Sequence, residues 1–250
     1  MSITIKIDGK PCTCEPGEFL VDIAKRNDIF VPTLCSMKPV LLDRGCCRVC
    51  VVELVENAHS KIVVSCIYPV ERACEVFTQS EKVVRERGMV LALLKLLAPD
   101  ASLITQLAKA YRAPELERLE PRAEGGSCIL CGRCVDACNL LGTSAIAAMN
   151  RGVSKEIDTA YSAPAAACIG CTSCAQVCPT SAISFQETDT VRTIWNQDFE
   201  LAHCETCGEV LGTVASLKHA AHITGDEPST LCPEHERRHT AESFASVYRK

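Results

Sequence analysis

A chain of 250 residues that is 47% hydrophobic but only 4% aromatic suits several small cores better than one large one, and its formal net charge of -5 argues against nucleic acid as a main partner. No stretch approaches the roughly 18 apolar residues of a membrane-spanning helix, and the opening MSITIKIDGK lacks the basic head and apolar core of a secretory signal. A cytoplasmic location is therefore expected, where disulfides are rare, so 19 cysteines, many in C-x-x-C spacing, point to metal.

Ile3, Ile5 and Ile7 alternate with polar residues, the pattern of a half-buried strand, and Asp8-Gly9 is a hairpin turn with Lys10 to Cys14 as the return strand. Phe19, Leu20, Ile23 and Ala24 have helical spacing, with Asn27 to end the helix. Val51 to Val55 and Lys61 to Ser65 read as two more strands, giving a small α+β unit over residues 1–78. A helix is expected over Glu81 to Leu97, stopped by Pro99, and a second one capped by Asp100 and running to Tyr111. Residues 112–126, RAPELERLEPRAEGG, read as a linker, so 79–126 form a helical connector. Cysteines return in two blocks over 127–195, and a last segment, 196–250, has its own Cys/His set.

Within DRGCCRVCVVEL, residues 43–54, the thiols crowd ahead of an apolar strand. A [2Fe–2S] cluster needs four soft thiolates, and plant-type ferredoxins take most of theirs from one tight loop and the last from a distant strand. Cys35, Cys47, Cys50 and Cys66 meet that need with a longer first gap, and Gly45 lets the backbone curl close to sulfur. C-x-x-C spacing favours Cys47 with Cys50, and the extra residue before Cys47 keeps Cys46 as the alternative ligand.

The stretches VPTLC, GCCRVCVVEL and SCIYPV resemble the N-terminal [2Fe–2S] domain, of β-grasp fold, in the large iron–sulfur subunit of NADH dehydrogenase (complex I). The same module occurs in the diaphorase iron–sulfur subunits of NAD-linked hydrogenases, in iron-only hydrogenases and in NAD-dependent formate dehydrogenases.

Residues 128–138, CILCGRCVDAC, and 168–179, CIGCTSCAQVCP, each carry C-x2-C-x2-C-x3-C, the spacing of a bacterial-type ferredoxin domain with two [4Fe–4S] clusters. The fourth cysteine of each block ligates the other cluster. One cluster is thus expected on Cys128, Cys131, Cys134 and Cys178, the other on Cys138, Cys168, Cys171 and Cys174. Similar stretches follow the blocks, LLGTSAIAAM and PTSAISF, expected as a short helix and strand backing each cluster. The resemblance extends through this dicluster domain, to about residue 190. It also exposes a departure: the family's His-x3-Cys-x2-Cys-x5-Cys cluster is missing, since no cysteine or histidine lies between Cys74 and Cys128. Passage of electrons between the N-terminal cluster and the pair is therefore an open question at the level of sequence.

In the last segment Cys204-x2-Cys207 and Cys232-x2-His235 form two knuckles suited to a tetrahedral Zn²⁺, a zinc-ribbon-like arrangement. A further iron–sulfur centre is the alternative, and His203, His219, His222 and His239 are alternative fourth ligands. Cys12, Cys14, Cys46 and Cys74 receive no role.

No Gly-x-Gly-x-x-Gly and no nucleophile motif marks a substrate site. One [2Fe–2S] cluster, two [4Fe–4S] clusters and one zinc ion suit electron transfer. The resemblance implies a non-catalytic electron-transfer subunit of a multisubunit NAD(P)-linked oxidoreductase. Its partners would be a flavin- and NAD-binding subunit and a catalytic subunit, of hydrogenase type first and formate dehydrogenase type second. The missing cluster leaves open an electron-bifurcating assembly. The alternative is a free-standing multi-cluster ferredoxin-like carrier.

Overall fold

The computed structural model describes residues 2–37, 44–57 and 59–248. β1 (Ile3–Ile7) and β2 (Lys10–Cys14) form the expected hairpin. Asp8 and Gly9 both take positive φ, the backbone of a tight two-residue turn. Ile5, Ile7, Cys12 and Cys14 all point inward, so two of the thiols without an assigned role serve as small core hydrophobes. α1 (Leu20–Arg26) lays Leu20, Val21, Ile23 and Ala24 on the same core. β3 (Val51–Glu56) and β4 (His59–Val64) pair antiparallel, and β4 gives way at Ser65 to a 3₁₀ turn that carries Cys66.

The sheet contains a strand absent from the sequence-based expectation. β5 (Glu75–Phe77) lies between β1, to which it is parallel, and β3, to which it is antiparallel, giving the order β2-β1-β5-β3-β4. It joins the two hairpins into one sheet.

α2 (Glu81–Leu97) starts at Ser80, whose Oγ accepts from Val83 N, and buries Val83, Arg87, Leu91 and Leu94 along one face. α3 (Ser102–Ala110) corrects the expected cap. Ala101 occupies the N-cap position without a side-chain bond, while the Asp100 carboxylate accepts instead from Gly126 N at 2.6 Å. Asp100 thereby ties the far end of the 112–126 stretch to the corner between the two helices. Arg122 N donates to Leu96 O at 2.9 Å, so this stretch lies along α2 although it has no helix or strand of its own.

α4 (Arg133–Leu140) follows the first cysteine block, then β6 (Ala147–Met149) pairs with β7 (Glu156–Asp158), and α5 (Ser173–Gln176) lies within the second block. The expected helix-and-strand repeat is only partly present: β6 follows the first block, whereas residues 180–185 are irregular before β8 (Gln186–Glu187). β9 (Val191–Ile194), β10 (Gln197–His203) and β11 (Val210–Thr213) complete a second sheet, ordered β11-β10-β9-β8. The expected segment start at residue 196 falls inside the turn that joins β9 to β10. α6 (Val214–Thr224) is capped by the Thr213 hydroxyl, and α7 (Pro233–Tyr248) closes the described chain.

Candidate metal centres

In the N-terminal unit Cys35, Cys47, Cys50 and Cys66 are all buried, whereas Cys46 is exposed. Interaction with the Cys47 and Cys66 side chains brings the Cys35 pKa down, with further help from the backbone N–H groups of Cys47 and Cys46. Interaction with Cys66 likewise brings the Cys50 pKa down to about 7. Four sulfurs thus converge, and Cys46 offers the site its backbone while its side chain faces water. Gly45 has φ +62, and a Cβ there would stand 2.7 Å from Ile67 Cδ1, so the loop needs glycine at that turn. Ser65 Oγ donates to Cys50 O at 2.7 Å and locks the turn bearing Cys66 onto the loop. Arg87, fully buried, donates to Val49 O at 2.9 Å and Val51 O at 2.7 Å, gripping the carbonyls on either side of Cys50.

The two later blocks interleave. Cys128, Cys131, Cys134 and Cys178 line one cavity of about 350 Å³. Cys138, Cys168, Cys171 and Cys174 line a narrower one of about 20 Å³. The fourth cysteine of each block therefore faces the other block's cavity, which is the grouping that crossed spacing implies. The repeated TSAI tetrapeptides explain how. Ala145 N donates to Cys138 Sγ and Ala182 N to Cys178 Sγ, both at 3.2 Å. Thr143 Oγ1 lies 3.1 Å from Cys138 Sγ, and Thr180 Oγ1 lies 3.6 Å from Cys178 Sγ. Ser144 and Ser181 share a positive φ, as do Leu130 with Gly170 and Gly132 with Thr172 in the block loops. The two halves are copies of one backbone device that turns amide hydrogens toward sulfur.

Burial pushes the thiols of this pair up: Cys131 to about 11, Cys134 to about 12 and Cys174 to about 11. Eight thiols set around two cavities, with amide donors aimed at them, fit iron–sulfur clusters, whose charge would replace those protons.

The N-terminal unit docks on the first block. Leu34, Cys35, Cys47 and Val49 share one apolar core with Leu91, Leu94, Ile104, Ile129 and Cys131. Arg133 donates to Leu34 O at 3.1 Å, and Arg44 forms an ion pair with Asp136. Thiols of the first set and of the dicluster pair therefore belong to the same packed region.

At the C-terminal end, one ligand atom from each of Cys204, Cys207, Cys232 and His235 lies within 4.8 Å of the others. Cys204 and Cys207 sit in the knuckle after β10, where Gly208 N donates to Cys204 O. Cys232 precedes α7, and His235 occupies its first turn. Cys232 Sγ is 3.1 Å and Cys204 Sγ 3.7 Å from His235 Nδ1, and Cys207 Sγ is 3.9 Å from Cys232 Sγ. Zn–S bonds of about 2.3 Å and Zn–N bonds of about 2.0 Å give tetrahedral edges of about 3.5–3.8 Å, so one ion fits and a wider four-iron cluster does not. Burial raises the Cys204 thiol, but backbone N–H groups of Cys232, Cys207 and Thr206 outweigh it and bring the pKa down to about 6. His203 donates instead to Gly208 O and His219 to Leu141 O, which occupies two of the alternative ligands.

Sequence reasoning missed four residues at these centres. Arg87 was signalled by an arginine between Val83 and Leu91 on an apolar helix face. The hydroxyls of Thr143 and Thr180 were signalled by the repeated TSAI. Trp195, which lines both cluster cavities, had no signal beyond being the chain's single tryptophan.

Residues 1–81 match the model of the 2Fe-2S iron-sulfur cluster binding domain, and residues 127–182 that of the 4Fe-4S dicluster domain. The chain is 32% identical over 213 residues to the NADP-reducing hydrogenase subunit HndD of Solidesulfovibrio fructosivorans, covering 72% of this chain and 36% of that protein. It is 38% identical over 96 residues to the gamma subunit of the NAD-reducing hydrogenase HoxS of Cupriavidus necator, covering 38% of each. A crystal structure of an NAD+-reducing [NiFe]-hydrogenase in the H2-reduced state contains a chain with 26% identity and a TM-score of 0.53, over 64% of this chain and 75% of that one. The chain thus spans about a third of the length of these curated relatives. Among the described residues no helix is long and apolar enough to cross a membrane.

Proposed function

We propose that this chain, related to the iron–sulfur diaphorase subunits of NAD-linked hydrogenases, is an electron-transfer subunit without a substrate site of its own. It relays electrons between a flavin- and NAD-binding partner and a hydrogenase-type catalytic partner. The observation that carries this reading is the sorting of eight cysteines into two crossed sets around adjacent cavities. When bound, the clusters supply one-electron redox centres whose potentials answer to hydrogen bonding, charge and burial.

The chain's own residues supply the rest. Cys35, Cys47, Cys50 and Cys66 hold a [2Fe–2S] cluster in a unit whose mixed sheet and crossing helix make a β-grasp fold. Cys128, Cys131, Cys134 and Cys178 hold one [4Fe–4S] cluster, and Cys138, Cys168, Cys171 and Cys174 the other. The shared core of Cys35, Cys47 and Cys131 supports relay within this chain without the centre missing from its connector. Cys204, Cys207, Cys232 and His235 hold a structural zinc ion, which braces a segment with few buried apolar residues of its own.

Anaerobically purified protein should contain about 10 Fe and about one Zn per chain, with one two-iron and two four-iron EPR signals on reduction. Cys138→Ser should damage the cluster of the second block, and Cys178→Ser that of the first. The reverse pattern refutes crossed ligation, and iron-free protein refutes the whole reading. Cys232→Ser should release zinc and leave iron unchanged; iron lost in proportion to zinc would refute a separate zinc site. Copurification of a flavoprotein separates a subunit from a free-standing carrier.

A further inference from the structure

α2 carries a cation into the interior and leaves it without an anion. Arg87 is fully buried, between Val83 and Leu91 on the apolar face of the helix. Its Nε donates to Val49 O at 2.9 Å, and its Nη2 donates to Val51 O at 2.7 Å and Thr78 O at 3.3 Å. Nη1 is buried with no hydrogen-bond partner, and the guanidinium lies 4.8 Å from the centroid of the Tyr111 ring. All of these partners are neutral. Arg26, Arg44 and Arg192, each more exposed, meet a carboxylate. Among the described residues no carboxylate pairs with Arg87. Glu53, an acid on the strand that Arg87 grips, is taken up by the hydroxyls of Ser60 and Ser80.

A buried charge is costly unless something of opposite sign answers it. That anion can lie just beyond the gripped carbonyls. Val49 O and Val51 O flank Cys50, so standard bond lengths put Cys50 Sγ within about 10 Å of Arg87 Nε. Cys50 is one of the four buried thiols of the first set. With iron bound, such a thiolate set is an anion, and reduction adds one more negative charge. A unit charge at about that distance, in an effective dielectric of about 20, shifts a one-electron equilibrium by about tenfold.

We propose that Arg87 is a positioning residue that serves as the buried counter-ion of the centre on Cys35, Cys47, Cys50 and Cys66, holding its potential above the value it would have without the cation. This rests on the ligation proposed above. The charge is separable from the grip on the loop, because lysine keeps the charge and loses the guanidinium fork.

In anaerobic potentiometric EPR at pH 7, Arg87→Met should lower the two-iron midpoint by the equivalent of about a tenfold change in the ratio of oxidised to reduced cluster, about 59 mV for one electron. Both four-iron midpoints should move less. The shift should persist in about 1 M salt, because a buried charge is weakly screened. Arg87→Lys should keep that ratio within about threefold of the natural chain. An unchanged two-iron midpoint in Arg87→Met would overturn the proposal, as would equal shifts of all three midpoints, or a raised midpoint, which marks water entry. If Arg87→Met holds no two-iron cluster, Arg87→Gln, neutral but able to donate to one carbonyl, reads the same shift. A cluster kept by Arg87→Lys and lost from both neutral variants supports the counter-ion. A cluster lost from all three variants overturns it, since the site then needs the fork rather than the charge. Natural protein without a two-iron signal would remove the ligation itself, an outcome distinct from an intact signal with an unmoved midpoint.

Discussion

Arg87→Met tests how the first thiol set is held. Arg87 is fully buried in α2 and donates through Nε to Val49 O at 2.9 Å and through Nη2 to Val51 O at 2.7 Å and Thr78 O at 3.3 Å. Its guanidinium also stacks on Tyr111, 4.8 Å from the ring centroid. A hydrogen bond from a charged donor contributes about 1.5–3 kcal/mol, so the two short ones amount to about 3–6 kcal/mol. Against this stands the cost of burying a cation whose Nη1 has no partner, which methionine removes while keeping most of the apolar packing. A net loss of about 2–4 kcal/mol remains, roughly a 30- to 1,000-fold rise in opening of the loop around Cys50. Under anaerobic conditions with an excess of iron chelator, the two-iron EPR signal should decay faster by that factor. The four-iron signals should decay at the rate of the unaltered protein. A two-iron signal lost within threefold of that rate, or all signals lost together, would refute the assignment of Arg87 as the clamp of this loop.

Three further outcomes follow from the same geometry. Cys46→Ser should keep the two-iron signal and Cys47→Ser should abolish it, because the first thiol faces water and the second is buried among the others; the opposite result makes Cys46 the ligand. Gly170→Ala places a Cβ 2.6 Å from Phe199 Cγ at φ +64, so it should displace the β9–β10 hairpin and lower occupancy of the second-block cluster, read as loss of one four-iron signal. The metal-free chain should weaken at alkaline pH: burial raises Cys131, Cys134 and Cys174 from 9.0 to about 11, 12 and 11, so the folded state keeps protons that the unfolded state has lost. Its stability is full below pH 9 and falls as pH rises toward 12, which urea midpoints at pH 8 and 10.5 would register. The loaded chain should lack this fall, since ligating thiolates have no proton to give up.

The cysteine groupings were legible in the sequence because ligand spacing is a local property. C-x2-C-x2-C-x3-C fixes which thiols one loop can present, and the structure sorts those eight into the two sets that crossed spacing implies. Between Cys46 and Cys47 the sequence offered only the C-x-x-C preference for Cys47, because neighbouring residues differ in which way the loop turns; Gly45 packed on Ile67 sets that turn, and it buries Cys47 and leaves Cys46 exposed. β5 was hidden for another reason. Three residues carry no periodicity, and Glu75–Phe77 becomes a strand only because β1 and β3 leave a gap of one strand's width between them. Asp100 misled for a third: an aspartate ahead of a helix is a cap by propensity, yet Gly126, brought back by the 112–126 stretch, offers its N–H and wins the carboxylate.

The connector shows why losing a cluster need not split the molecule. A cluster between two domains does two things: it gives electrons a stop, and it staples chain segments that bury little apolar surface. In this chain α2 and α3 supply the staple by ordinary packing. Leu91, Leu94 and Ile104 share one buried core with Leu34 and Val49 of the N-terminal unit and Ile129 of the first block. The polar contacts of Arg133 with Leu34 O and of Arg44 with Asp136 fix the orientation in which the two units meet. With Cys35, Cys47 and Cys131 in one core, the separation between the first thiol set and the pair is set by side-chain packing rather than by a flexible tether. Trimming one of these large side chains would leave a cavity and weaken the docking of the two units, so the connector's apolar face, although it ligates nothing, holds the two thiol regions together.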